Sequence, residues 1–254
     1  MKFEAHLPTE KLRPYIRQLV VSENASESEY KVFPSTGMVI GFQYRGTLST
    51  VQDNTATRLT SAGITGITDR YRIFRNSAGI GTILVYFTET GFAHFATHPA
   101  HELFNLSLSL KDIFRKDDVS RVEDLLSDAR NDQQRLHITE QFLLSQLKER
   151  EQDQLISEAV RLIYTSKGNI RIKELNERLF ISQSPFEKRF RKVVGISAKK
   201  FASIVRFNNV LSSMNGLKSL EEICYENGFF DQAHFIHNFK QYTGQTPEQF
   251  KRFI

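Results

Sequence analysis

The chain has a single cysteine in 254 residues, Cys224. No intrachain disulfide framework can form, and nothing calls for an oxidising compartment. Long apolar runs are missing too. No stretch approaches the ~20 apolar residues of a membrane span. The opening MKFEAHLPTEKLRPYIRQ has no apolar run of signal-peptide length. A soluble, cytoplasmic protein with no membrane partner is the expectation. The common catalytic motifs are also lacking: there is no GxSxG, no P-loop and no GxGxxG. His94 and His98 stand at i, i+4 in HFATHPAH, with His101 close by, which is the spacing of helical metal ligands. Pro99 interrupts that helix, however, and no Glu follows His94 as in HExxH. These histidines read as surface or core residues, and Cys224 as a packed thiol rather than a nucleophile or redox sensor. A non-enzyme with no cofactor and no metal is expected.

What is present is enough apolar material for two ordinary domains, at 40% hydrophobic residues. The formal net charge of +5 is unevenly divided. Residues 154–254 carry 16 basic and 9 acidic side chains, a surplus of +7, which leaves −2 for the rest. A basic half of this kind is the electrostatic footprint of a polyanion partner.

That half contains an internal repeat. FEKRFRKVVGISAKKF at Phe186 to Phe201 matches FIHNFKQYTGQTPEQF at Phe235 to Phe250 position by position. Phe186 pairs with Phe235, Phe190 with Phe239, Arg191 with Lys240, Gly195 with Gly244, Ser197 with Thr246 and Phe201 with Phe250. Phenylalanines at i, i+4 share one face of a helix. The glycine suits a left-handed C-cap, and the hydroxyl residue after it suits the next N-cap. Upstream of each copy lies another helical segment, ELNERLF at Glu174 to Phe180 and EICYENG at Glu222 to Gly228. Short turns lead from these to the N-cap candidates Ser182 and Asp231, the second turn being one residue longer. A helix, a short turn and a second helix with an apolar inner face make a helix-turn-helix. Two are predicted, joined by a helix over Ala198 to Met214 whose apolar Ile204, Phe207, Leu211 and Met214 would clamp it between them.

The region from Ile156 to Phe253, about two-fifths of the chain, resembles the DNA-binding domain of the AraC/XylS family of bacterial transcription factors. Glu222 to Phe250 carries the resemblance most specifically, and Glu174 to Phe201 is the weaker copy. Phe180 departs from the pattern by standing where the family has a turn glycine. Pro185 falls in the first turn of the first recognition helix, where the amides lack helical partners anyway.

The first half reads as strands and then helices. YKVF, MVIGFQY, TLSTVQ, TRLTSAGITGIT, YRIFRN and GTILVYF are β-branched or aromatic runs at barrel or sandwich spacing, and Glu23 to Glu29 is a polar loop. TETGFAHFATHPAHELFN, VSRVEDLLSDARN and QQRLHITEQFLLSQLKER read as helices. LKEREQDQ at Leu147 to Gln154 is the candidate linker, read as helical throughout. The expected fold is α+β. A sensing and dimerisation domain, residues 1–150, is similar in layout to the family's cupin-like barrel with trailing helices. An all-α DNA-binding domain, 151–254, carries the two helix-turn-helix units.

DNA reading follows from the duplicated geometry. A major groove ~12 Å wide admits one helix, and two can enter successive grooves if held roughly 34 Å apart. With Phe186 and Phe190 facing inward, the resemblance implies base contacts at Ser184, Glu187 and Lys188. With Phe235 and Phe239 inward, Gln232, Ala233, Ile236 and His237 are exposed for the same task. Gln232 suits adenine, Lys188 guanine, Glu187 cytosine N4, and Ala233 or Ile236 a thymine methyl. Arg191, Lys192 and Lys240 suit phosphates. The expected partner is double-stranded DNA, with RNA polymerase added for an activator. A small-molecule effector and a homodimer are implied by family analogy, the latter through Leu136 to Leu147. Arg70, Arg72, Tyr44 and Tyr86 are the candidate effector ligands; an inward arginine face would require an anion. Two alternatives stand beside this reading. One is a ligand-independent architectural or adaptor protein on DNA, the other a cupin-like metal-dependent enzyme fused to a DNA-binding domain.

Overall fold

The computed structural model describes residues 1–214, 219–229 and 232–252. Its architecture is α+β, with antiparallel sheets in the first half and helices in the second. Ten strands form two sheets: β1 (Lys2–His6), β2 (Ile16–Asn24), β3 (Ser28–Val32), β4 (Val39–Arg45), β5 (Leu48–Gln52), β6 (Thr55–Arg58), β7 (Ala62–Thr65), β8 (Arg72–Asn76), β9 (Ile80–Phe87) and β10 (Ser107–Ser109). The six-stranded sheet runs β1-β2-β9-β4-β7-β10 and the four-stranded sheet β3-β8-β5-β6. All pairings are antiparallel. The β5–β6 hairpin turns on Asp53 and Asn54, both at positive φ, the geometry whose twist matches the flanking strands. Gly81 is required where it stands, because a Cβ there would meet the Tyr44 ring at 2.3 Å.

Three strands went unread in the sequence: β1, β2 and the three-residue β10. β2 is central in its sheet, and Leu19, Val20 and Val21 are buried in succession, so it lacks the alternation that marks a half-exposed strand. β1 is mostly exposed and short, and its place comes from pairing with β2. Since β2 runs to Asn24 and β3 begins at Ser28, the polar loop of residues 23–29 shrinks to a tight connection.

Residues 88–105 form two single-turn 3-10 helices, Gly91–His94 and Ala100–Leu103, rather than the α-helix read there. Pro99, at extended ψ, breaks the segment, and Phe92 and Phe95 pack on Phe87 at ring distances of 5.8 and 5.3 Å. Helices α1 (Lys116–Asp128) and α2 (Asp132–Gln146) follow. Val119, Val122 and Leu126 are the buried stripe of α1. In α2, Phe142 meets Phe42 and Phe114 edge to face at 5.7 and 5.6 Å. The apolar ridge of this helix is therefore partly spent inside the chain: Phe142 and Leu143 are buried, while Leu136 and Leu147 are half-buried.

Residues 147–153 are extended, not helical, a second correction. The run has no apolar face to bury, and its polar groups tie down the 91–94 turn instead. Lys148 N donates to the His94 carbonyl at 2.8 Å, and Arg150 Nη1 donates to the Ala93 and Ala96 carbonyls at 3.0 and 3.3 Å. Asp153 ends the segment by accepting from Ile156 N, capping α3 (Gln154–Thr165). The remaining helices are α4 (Ile172–Arg178), α5 (Gln183–Val194), α6 (Ala198–Met214), α7 (Leu220–Glu226), α8 (Gln232–Thr243) and α9 (Pro247–Lys251). A single hydrophobic core runs from the sheets into these helices. Among the described residues, no helix is long and apolar enough to cross a membrane.

Candidate nucleic-acid interface

The repeat in sequence is a repeat in space. In the first copy, Phe186, Phe190 and Phe201 are fully buried, with successive ring distances of 5.6 and 5.7 Å. In the second, Phe235, Phe239 and Phe250 stack in the same order at 5.8 and 5.4 Å. Gly195 closes α5 at φ +103, donating its N–H to the Arg191 carbonyl at 3.0 Å. Gly244 closes α8 at φ +76, donating to the Lys240 carbonyl at 2.8 Å. Thr246 then caps α9 through a reciprocal pair with Gln249, and Ser197 Oγ accepts from Lys200 N.

The turns before α5 and α8 also correspond. Phe180 N donates to Glu177 O and Ile181 N to Asn176 O; Gly228 N donates to Tyr225 O and Phe229 N to Cys224 O. Phe180 takes the left-handed conformation, φ +51, that Gly228 takes at φ +69. Its side chain is 96% exposed. A large residue thus holds a glycine conformation with no burial to offset the cost. Ser182 occupies the N-cap of α5 with extended ψ but makes no side-chain cap bond. Asp231, the matching N-cap candidate, lies outside the described residues.

Between the two copies runs α6. Ile204, Phe207 and Met214 are buried and Leu211 half-buried, and Phe207 touches Phe239 and Tyr242 at 5.7 and 4.8 Å. Seventeen helical residues span roughly 25 Å. Cys224 is buried in α7, and burial together with Glu221 raises its thiol pKa above the ordinary range.

Ser184, Lys188, Arg191 and Lys192 are exposed on α5, and Glu187 is half-buried. Gln232, Ala233, Ile236, His237 and Lys240 are exposed on α8. The opposite ends of both helices are covered by the first half of the chain. A Cβ on Gly195 would come within 3.0 Å of Met38 Cε and 3.1 Å of the Ala100 carbonyl; one on Gly244 would lie 2.7 Å from the Tyr71 ring. The residues expected to read bases therefore sit at the uncovered starts of the helices, while the C-caps are docked. Lys192 belongs to the covered end, where it lines a small cavity with His94 and Arg150.

The docking contacts centre on Asp69, which is 7% exposed. Its carboxylate accepts from Lys200 Nζ at 2.5 Å and from Asn105 Nδ2 at 2.9 Å, and its carbonyl accepts from Gln241 Nε2 at 3.1 Å. Burial alone would raise the Asp69 pKa. The bonds from Lys200 and Asn105, with the charges of Lys200 and Arg70, outweigh it and hold the group below the usual carboxylate range. Lys200 also lies 4.7 Å from the Phe104 ring centroid. Lys31 reaches the Thr243 carbonyl at 3.4 Å across Tyr71. Tyr164 donates to Thr36 and Glu89, and its pKa is pushed up to about 12 by burial and then by Glu89. Sequence reading missed this set of contacts. Asp69 and Lys200 are 131 residues apart, and no local pattern announces such a pair.

The four effector candidates do not converge. Arg72 donates to Ser107 Oγ and the Asn105 carbonyl, and Arg70 is largely exposed beside Asp69. Tyr44 instead donates to Glu23 at 2.8 Å beneath the Arg135 guanidinium, and burial followed by Glu23 raises its pKa. Tyr86 is half-buried in β9, where burial, with Tyr30 adding to it, raises its pKa. Surface cavities beside Asn131, His94 and Lys111 are lined by none of the four. Among the described residues there is no group of three or more His, Cys, Asp or Glu placed to hold a metal ion.

Residues 175–252 match the model of a helix-turn-helix domain, and residues 4–109 match that of a domain of unknown function, DUF6597. The chain is 29% identical over 121 residues to the Msm operon regulatory protein of Streptococcus mutans, covering 46% of this chain and 44% of the relative. It is 31% identical over 104 residues to YesN of Bacillus subtilis, an uncharacterized transcriptional regulatory protein, covering 39% of this chain and 28% of the relative. The matches thus span less than half the length of either relative. Among solved structures, ToxT from Vibrio cholerae aligns over 100% of this chain and 99% of its own, with 10% identity and a TM-score of 0.49. The fold and the repeated module define a DNA-binding class, the bihelical helix-turn-helix proteins. Within it, residues 175–252 of this chain form a helix-turn-helix domain, and the two relatives are named as regulatory proteins.

Proposed function

We propose that this chain is a sequence-specific, double-stranded-DNA-binding regulator of transcription that acts in the cytoplasm and is not an enzyme. In this reading residues 151–254 bind DNA and residues 1–150 form the sensing part. One observation carries it: two copies of the same phenylalanine-and-glycine module, on the basic half of the chain, leave the starts of α5 and α8 uncovered. Ser184, Glu187 and Lys188 on α5, and Gln232, Ala233, Ile236 and His237 on α8, take the bases. Arg191, Lys240 and, at the covered end, Lys192 take phosphates. A rigid α6 lowers the ordering cost of placing both helices at once. The naming of the relatives as regulators supports the same conclusion.

Control by a small-molecule effector is part of the proposal. It is supported by the docking of the first half on the C-caps of both recognition helices, so that a shift of the sheets moves both together. Homodimerisation and contact with RNA polymerase belong to the reading as consequences for an activator on paired sites. Mapping the chain's genomic binding sites tests it, followed by titration of a recovered site with the Lys188→Ala variant. Loss of ~1–3 kcal/mol on the cognate site, with relaxed preference at one base, is expected. An equal loss on all sequences moves Lys188 to the phosphate group, and absence of any preferred site overturns the reading.

A further inference from the structure

The small cavity at the covered end of α5 has a composition of which the DNA reading uses only Lys192. It measures about 200 Å³, the space of roughly six waters. Three separate pieces of chain wall it. The 90–99 segment gives Thr90, His94, Thr97 and His98, the extended run after α2 gives Arg150, and the last turn of α5 gives Lys192. Glu151 and Asp153 also line it. The Asp153 carboxylate is already engaged, one oxygen by Ile156 N at 3.0 Å and the other by Arg189 at 2.5 Å. Glu151 is then the one acid facing Arg150 and Lys192.

Arg150 is held in place by the Ala93 and Ala96 carbonyls through Nη1 alone, which leaves the rest of its donor fork available. His94 is 5% exposed and tilts against the Tyr15 ring at 4.5 Å, and its buried Nδ1 has no hydrogen-bond partner. Burial, then the nearby Arg150 charge, lowers the His94 pKa, so the imidazole is neutral near pH 7 and offers one N–H.

We propose that this cavity binds a compact oxyanion, the carboxylate or phosphate group of a small metabolite. Arg150 and Lys192 supply its charge complement, Thr90 and Thr97 supply hydroxyl donors, and His94 and His98 supply ring N–H donors. A guanidinium pre-set by two carbonyls, beside an ammonium and two hydroxyls, matches the several acceptor lone pairs of such a group. Because the walls come from the first half, the extended run and a recognition helix, the bound anion ties the three together. The inference concerns binding alone and shares only Lys192 with the DNA reading.

The test is calorimetric titration of the full chain with inorganic phosphate and, separately, with acetate at constant ionic strength, alongside thermal melting. Saturable binding of at least one probe is expected, with a rise in melting temperature. The Lys192→Gln variant should weaken it about tenfold, the loss of one charge-assisted bond. Lys116→Gln, exposed at the start of α1 and away from the cavity, should leave it unchanged. Tighter phosphate identifies a phosphoryl ligand and tighter acetate a carboxylate. Arg150→Gln cannot serve as the sole variant, because Arg150 also supports the 91–94 turn; histidine ring resonances of the unaltered chain supply the second readout. Displacement of the His94 signal that saturates with the heat supports the site. Absence of saturation with both probes, or binding that ignores Lys192→Gln and leaves His94 unmoved, overturns it.

Discussion

Replacing Lys200 with methionine should weaken the attachment of the helical half to the sheets by about 1–2 kcal/mol. Methionine keeps much of the stem over Phe104 and removes the ammonium, leaving Asp69 with Asn105 and a distant Arg70 Nε at 3.6 Å. Breaking a fully buried pair costs ~3–5 kcal/mol, because an uncompensated charge stays inside. Here the Asp69 side chain is 10% exposed but the Lys200 side chain is 37% exposed. Water reaches one partner, so the smaller figure applies. Asp69→Asn should cost a similar amount, and the double variant less than the sum, with a coupling of about 1 kcal/mol. Urea unfolding of the four proteins at pH 7 measures this as midpoint shifts at constant slope. The sign with pH follows from the depressed Asp69 pKa. The pair's stabilisation is fully present above the unfolded carboxylate pKa of ~3.9 and is lost as pH falls through the lower, folded-state value. Additive single variants at pH 7 would refute the reasoning, as would a coupling that survives undiminished in strong acid.

Three further outcomes follow from the helical half. Phe239→Ala should destabilise by ~3–5 kcal/mol, since Phe239 is 1% exposed and touches Phe207, Phe235 and Phe250. An unchanged melting curve would remove it from the inner face. Phe180→Gly should stabilise by up to ~1 kcal/mol, because φ +51 suits glycine and the exposed ring gives up no burial. A lower melting temperature would show that the ring contributes more than its strain costs. Cys224, buried and with its thiol pKa raised, should react with a thiol reagent far more slowly in the native chain than in denaturant; equal rates would contradict its packing.

The repeat was legible because each of its parts is local. Paired phenylalanines four apart bury one helix face whatever surrounds them. A glycine at a C-cap and a hydroxyl residue at an N-cap satisfy backbone groups within a few residues. Even the anomaly at Phe180 was readable against Gly228. Strands β3, β4, β5, β8 and β9 were legible from composition for the same reason, while β6 and β7 were read as one run. β2 was not, since Leu19, Val20 and Val21 are covered in succession and leave no period to read. The charged run after α2 misled because its polarity fits a surface helix as well as an extended tether, and only the carbonyls of Ala93, His94 and Ala96 choose between them.

By itself, then, the order of residues determined two matched helical modules, their inner faces and the basic surplus around them. Tertiary structure alone decided where those modules sit: β2 beside β9, Asp69 under Lys200 and Gln241, both C-cap glycines against the sheets, and Lys192 on the rim of a cavity with His94 and Arg150. The physical reason is range. Caps and helix faces are chosen within a turn or two of chain, whereas an ion pair or a cavity wall joins residues that no local periodicity relates.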